Sequence, residues 1–169
     1  MDPDLRNLLD RQQILDCIHR YTRGVDRLDA ELTLSAYHED AVDCHGPFCG
    51  SPREFVEWLW PRQATRWASQ HFVTNHTVEV DGDTAHAETY WLVALRHKDP
   101  NGITFGGGRY VDRFERRDGQ WRIAVRNVVT EWSSSLIPTP LLGEAYPEGV
   151  RDTTDISYQR PLEPIGAAA

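Results

Sequence analysis

Asp26 stands where a long amphipathic helix should end, one turn after Thr22 and at the edge of its apolar stripe. The carbonyl end of a helix is partially negative, so a carboxylate there is mildly unfavourable and asks for a partner. A solvated helix-end charge is the plain alternative. Histidine is the partner with most chemistry to offer. A neutral imidazole that donates one ring N–H to a carboxylate presents its other nitrogen as a base near pH 7. The chain has seven histidines. His19 and His38 read as surface positions on helices, His97 borders a turn, and His86 falls on an outward strand face. His45 follows Asp43 with one residue between, so both can face a cavity from a short strand, and His71 opens the first long strand. Spacing alone does not say which histidine meets Asp26.

Other chemistries have less support. Asp43, His45 and His71 are the candidate metal ligands, but no HxH, HExxH or CxxC spacing accompanies them, so no metal is expected. Cys44 or Cys49 as a nucleophile lacks any supporting pattern. There is no GxSxG motif, and Gly106-Gly107-Gly108 lacks the following helix that a phosphate-binding loop requires.

The elements that must position these groups are legible in outline. Asp2-Pro3 is cap-plus-proline chemistry, and Leu5, Leu8, Leu15, Ile18 and Val25 recur at helical spacing, which predicts a helix over 4–27. A short helix over 29–37 follows, then a loop or hairpin around Val42 to Cys49, punctuated by Gly46-Pro47 and Cys49-Gly50. Ser51-Pro52-Arg53-Glu54 starts a third helix carrying Phe55, Trp58, Leu59 and Trp67, with Pro61 expected to kink it or end it early. Strands are expected over 70–80, 84–97, 103–117 and 120–132, separated by turns at Asp81-Gly82-Asp83, Asp99-Pro100-Asn101-Gly102 and Arg117-Asp118-Gly119. Helices followed by an antiparallel meander describe an α+β domain whose long sheet must curl. Side chains alternate across a strand, so Ala85, Ala87, Thr89, Trp91, Val93 and Leu95 share the inward face, and His86, Glu88, Tyr90 and Arg96 the outward one. The three strand glycines mark a bend, room for a ligand, or both. The domain is read as residues 1–132. Residues 133–169 hold five of the ten prolines and read as an irregular tail packing on the body or a neighbouring subunit.

The 169 residues suit one domain, and 40% hydrophobic against 26% charged residues supports a real core. A net charge of −8 without a basic cluster disfavours nucleic acid. No run approaches the ~18 apolar residues of a membrane span, and no signal-peptide pattern opens the chain. Three cysteines without a CxxC pair read as reduced and the chain as cytoplasmic.

Certain landmarks occur in a telling order. They are Arg23-Gly24-Val25-Asp26, Tyr37-His38-Glu39-Asp40-Ala41, His71 with Thr74-Asn75, and Val80-Asp81-Gly82-Asp83-Thr84-Ala85. Tyr110 then leads into Phe114-Glu115-Arg116-Arg117-Asp118-Gly119-Gln120-Trp121. Over roughly residues 5–132 the chain resembles the SnoaL-like branch of the nuclear transport factor 2-like superfamily. That resemblance implies a cone: a curved antiparallel sheet wrapped around N-terminal helices, with a pocket inside. Within the branch it is similar to cofactor-free lyases of the hexachlorocyclohexane dehydrochlorinase, scytalone dehydratase and bile-acid 7α-dehydratase kinds. The resemblance makes Asp26 and His71 a catalytic dyad and Arg126 a cation stabilising developing negative charge. It places Tyr21 as a polar group on the first helix and Trp91, Val93, Gly106, Gly108, Tyr110 and Thr130 around the pocket. Asp43 and His45 add polarity that suits a substrate hydroxyl.

The expected function is a cofactor-independent lyase acting on a bulky hydroxylated aromatic or polycyclic molecule. Loss of water or retro-aldol loss of formaldehyde ranks ahead of loss of halide, and an isomerase or cyclase would use the same base. The alternative is a non-catalytic binding or accessory protein, similar to the β-subunit of aromatic-ring hydroxylases. A homo-oligomer, dimer or trimer, is expected.

Overall fold

The structure, a computed structural model, describes residues 2–98, 102–136, 150–155 and 158–159. Helix α1 spans Pro3–Arg27, and the Asp2 carboxylate accepts the free N–H groups of Asp4 and Leu5. It ends at Leu28, whose φ of 56° is left-handed. Its buried stripe of Ile14, Cys17, Ile18, Tyr21 and Val25 lies in the hollow of the sheet against Phe114, Trp121 and Ile123.

Helix α2, Ala30–Leu34, is shorter than expected. Gly24 lets it press against α1, since a Cβ there would sit 2.3 Å from Thr33 Oγ1. Tyr37 then opens strand β1, Tyr37–His45, because its backbone finds a sheet neighbour at Ile123. His38 is therefore on a strand, not a helix, and is buried with Nε2 2.9 Å from the carbonyl oxygen of Glu115.

Strand β2, Phe48–Gly50, folds back on β1 around Gly46 and sets Cys49 directly opposite Cys44. The two cysteines are joined as a disulfide, which corrects the reduced reading. Six residues of sequence concealed a pair that the hairpin puts in register. Cys17 is the free thiol, and burial pushes its pKa up to about 11.

Helix α3, Pro52–Ala64, has a full capping box between Ser51 and Glu54 and runs through Pro61 to one turn beyond it. Trp67 lies outside it, exposed on strand β3, Arg66–Asp81. His71 accordingly sits inside that strand and not at its start. Strands β4 (Thr84–His97), β5 (Ile103–Arg117) and β6 (Gln120–Leu136) complete an antiparallel meander with β3. β6 runs four residues past the expected Trp132. The sheet order is β2-β1-β6-β5-β4-β3, and β1 pairs with β6 in parallel. The sheet is thus mixed where a wholly antiparallel one was expected. Among the described residues it is a six-stranded, curved, open sheet with three helices, the α+β cone. Its β4 side chains alternate as read, with Ala85, Ala87, Thr89, Trp91 and Val93 buried.

Among the described residues no helix is long and apolar enough to cross a membrane. Much of the tail, including Leu141-Leu142, lies outside the described residues. Of the described part, Arg151 and Tyr158 pack on the body: Tyr158 donates to Asp29 at 3.0 Å, and Arg23 lies over its ring.

Candidate active site

The last turn of α1 delivers Asp26 to the middle of β3. Its Oδ1 lies 2.6 Å from His71 Nδ1, and its Oδ2 accepts the backbone N–H of His71 at 2.8 Å. Both side chains are nearly buried, 13% and 12% exposed. A carboxylate can only accept here, so it holds the ring proton on Nδ1 and leaves Nε2 with its lone pair. Among the described residues nothing hydrogen-bonds to Nε2, and His71 lines a cavity of about 290 Å³.

That cavity lies between the sheet and α3. Trp91, Val93 and Leu95 from β4, Tyr110 from β5 and Val128 and Thr130 from β6 form one wall. Trp58 and Leu59 from α3 and His45 from β1 form the other, with the buried Gln63 beside them and the more exposed Arg62 and Arg66 at the rim. Trp91 stacks on Tyr110 at 5.9 Å between ring centres. Gly108 gives that indole its place, for a Cβ there would lie 2.7 Å from Trp91 Cζ2 and 2.0 Å from the Val129 carbonyl oxygen. Gly107 does the same for Trp132 on the outer face. These two glycines accommodate tryptophans.

Behind Tyr110 lies a fully buried charge. Arg126 donates to Asp112 through two nitrogens, at 2.8 and 2.6 Å, and neither side chain is exposed. The guanidinium is sandwiched between the rings of Tyr21 and Tyr110, 4.2 and 4.1 Å from their centres. Burial works against its charge, but Asp112 and the surrounding phenol oxygens outweigh it and hold the pKa well above the ordinary arginine value. Among the described residues, Nη1 of Arg126 and Oδ1 of Asp43 are buried without hydrogen-bond partners. Asp43 accepts from the Tyr37 hydroxyl and lies 3.6 Å from His45 Nδ1. Burial raises the Tyr37 pKa well above the usual phenol value, so it stays a donor.

Of the residues picked from the sequence, His71, His45, Trp91, Val93, Tyr110 and Thr130 line the cavity. Tyr21, Asp43 and Arg126 form a layer beneath it, and Gly106 and Gly108 lie under Val93 and Trp91. Trp58, Arg62, Arg66, Val128 and Asp112 were missed. Asp112 had a signal: it shares the apolar face of β5 with Tyr110 and Phe114. Arg151 had none. It donates to the carbonyls of Asp26, Gln63 and Arg66 and to Gln63 Oε1, tying the ends of α1 and α3 to the start of β3. Among the described residues no group of three or more His, Cys, Asp or Glu side chains gathers as a metal site.

Residues 6–127 match the SnoaL-like domain family. The chain belongs to it. No curated protein matches the chain significantly. Among solved structures it is similar to the putative scytalone dehydratase from Novosphingobium aromaticivorans, at 19% identity and a TM-score of 0.71, over 84% of this chain and 97% of that one. It is similar to the hexachlorocyclohexane dehydrochlorinase LinA-type3 from Novosphingobium barchaimii, at 23% identity and a TM-score of 0.72, over 83% and 99%. A putative aromatic ring hydroxylase from N. aromaticivorans is similar at 24% identity and a TM-score of 0.69, over 76% and 94%. At these identities the likeness speaks for the fold.

Proposed function

We propose that this SnoaL-like protein is a cofactor-independent lyase in which His71 is the general base. The observation that carries the reading is the Asp26–His71 pair at 2.6 Å, set in the wall of an aromatic-lined cavity. Nε2 takes a proton from a carbon or hydroxyl of the substrate, and Asp26 stabilises the imidazolium as it forms. For a dehydration, the C–H electrons become the new double bond and the C–O bond breaks, with the departing hydroxyl protonated from the His45 side. For formaldehyde loss, Nε2 takes the proton of a hydroxymethyl O–H, the C–C bond breaks, and the carbanion is reprotonated. Arg126 acts through its field from behind Tyr110, favouring negative charge at that end of the cavity. Tyr21 and Asp43 hold this layer in place, while Trp91 and Tyr110 offer flat faces to a ring. The similarity in fold to dehydratase and dehydrochlorinase structures supports this reading.

The second reading, a binding or accessory protein, draws on the other half of the same contact. Asp26 also takes a backbone N–H of β3, which is a structural task. Incubation of chelator-treated protein with hydroxylated diaryl, polyketide-like, steroid-like and halogenated compounds separates the two. A mass loss of water, formaldehyde or hydrogen halide that disappears in His71→Ala supports the lyase. Tight binding without conversion by either protein supports the accessory role and overturns the lyase.

A further inference from the structure

Among the described residues that line the cavity there is no carboxylate, yet two arginines stand at its rim. Arg62 is accounted for: it donates to the Trp58 carbonyl and its guanidinium lies over the Trp58 ring at 4.2 Å. Arg66 is not. Its side chain makes no hydrogen bond, ion pair or ring contact among the described residues, although it is half-buried. A bulge between Arg66 and Ala68 resets the alternation of β3, so Arg66 pairs with His97 and turns inward on the same face as Ser69 and His71.

The neighbouring charge is of the same sign. Arg151 binds the Arg66 carbonyl oxygen, and burial together with Arg151 lowers the Arg66 pKa. Asp26, the nearby carboxylate, is committed to His71 by both oxygens. A cation partly shielded from water is held more favourably with an anion beside it than without one.

Resting on the lyase reading for the reacting end, we infer that the substrate carries an anionic group, a carboxylate or equivalent oxyanion, that docks on Arg66 at the rim. Arg62 adds to the positive field there, and the apolar body of the substrate lies along Trp58 and Trp91 towards His71. Five residues of strand separate Arg66 from His71, at most about 16 Å between their Cα atoms. The anion and the reacting bond thus answer to two different side chains on one face of β3. A positive rim around an apolar cavity also draws an anion in and orients it tail-outwards.

The test is a binding measurement and needs no turnover. Isothermal titration of 2-naphthoate and of neutral 2-naphthamide, at low and high salt, compares two probes of nearly equal shape. The acid should bind about tenfold more tightly, and less so at high salt. Arg66→Gln should abolish that preference while leaving the amide unaffected, Arg66→Lys should restore part of it, and Arg113→Gln, on an exposed strand residue, should change nothing. Equal affinity for acid and amide, a preference that survives Arg66→Gln, or no binding of the acid at all overturns the inference. Acid selectivity in a protein that converts nothing sinks the lyase but leaves the anion site standing. Turnover of neutral compounds undiminished by Arg66→Gln does the reverse.

Discussion

Arg151 donates to the carbonyl oxygen of Asp26 at 3.1 Å, across 125 residues of sequence. The same guanidinium holds Gln63 through both its carbonyl and its side chain. It thereby fixes the helix end that carries the dyad's carboxylate to the element that forms the opposite cavity wall. A cation at that helix end also offsets the partial negative charge that disfavours Asp26 there.

On the lyase reading, Arg151 is a positioning residue. Arg151→Ala should lower kcat about tenfold at nearly constant KM, because a small misplacement of a base is felt in the chemical step. The low-field NMR signal of the His71 Nδ1 proton should weaken in parallel, and Arg151→Lys should recover part of both. A fall in Tm with an unchanged proton signal and unchanged kcat would reduce Arg151 to a structural clasp.

Asp26→Asn tests the tautomer argument. An amide in that place can donate to Nδ1, which moves the ring proton to Nε2 and removes the lone pair from the cavity. Turnover should fall by about 10²–10⁴-fold, close to the loss in His71→Ala, with ligand affinity retained. Retention of more than a tenth of the wild-type kcat would show that Nε2 is not the base.

Which parts of this arrangement could be read in advance follows from how local their causes are. The caps at Asp2 and Ser51, the turns at Gly82 and Gly119, and the inward set on β4 depend on neighbouring residues, and all occur as read. Strand β1 depends on β6, whose paired residues lie 83–86 positions further on, so Tyr37 and His38 passed for the end of a helix. The inward turn of Arg66 depends on a bulge that no composition signals. Arginine is seldom fully buried, and only Asp112, Tyr21 and Tyr110 together explain how Arg126 is. The dyad itself joins a helix end to a mid-strand residue, a pairing that resemblance, and not spacing, brought out.

The Arg126–Asp112 pair makes a stability prediction that also bears on mechanism. Arg126→Met leaves Asp112 charged and alone in the core, at a cost of about 3–5 kcal/mol. Adding Asp112→Leu should recover most of that loss, as read from urea unfolding. If the double variant is folded but lacks turnover, the charge behind Tyr110 matters to the reaction. Full activity in it would remove Arg126 from the mechanism.

Gly106 and Gly108, two residues apart on β5, should respond unequally to one methyl group. At Gly108 the new Cβ would meet the Val129 carbonyl oxygen at 2.0 Å, a backbone atom that cannot step aside. At Gly106 the nearest atom is 3.3 Å away. Gly108→Ala should therefore cost about 1–3 kcal/mol or more through overpacking and displace Trp91, whereas Gly106→Ala should be much milder. Thermal unfolding and tryptophan fluorescence read both effects, and equal Tm values for the two variants would contradict the close approach.

His76 lies on the inward face of β3, with Nδ1 2.9 Å from Thr89 Oγ1 and Nε2 buried without a hydrogen-bond partner among the described residues. The charged and titratable groups that bear on it are Arg11 and His19 of α1. Burial first, then these two neighbours, lower its pKa below the ordinary 6.5. The unfolded chain therefore takes up this proton more readily than the native one. Stability contributed by neutral His76 is in full force above pH 6.5 and is lost as pH falls from there through the lowered native value. Replacing it with glutamine keeps a polar side chain but removes the titration. Urea midpoints measured from pH 8 to pH 5 should fall less steeply for His76→Gln than for the wild type, while the two curves run parallel above pH 7. Identical slopes below pH 6.5 would mean that the buried imidazole finds a way to be protonated without strain.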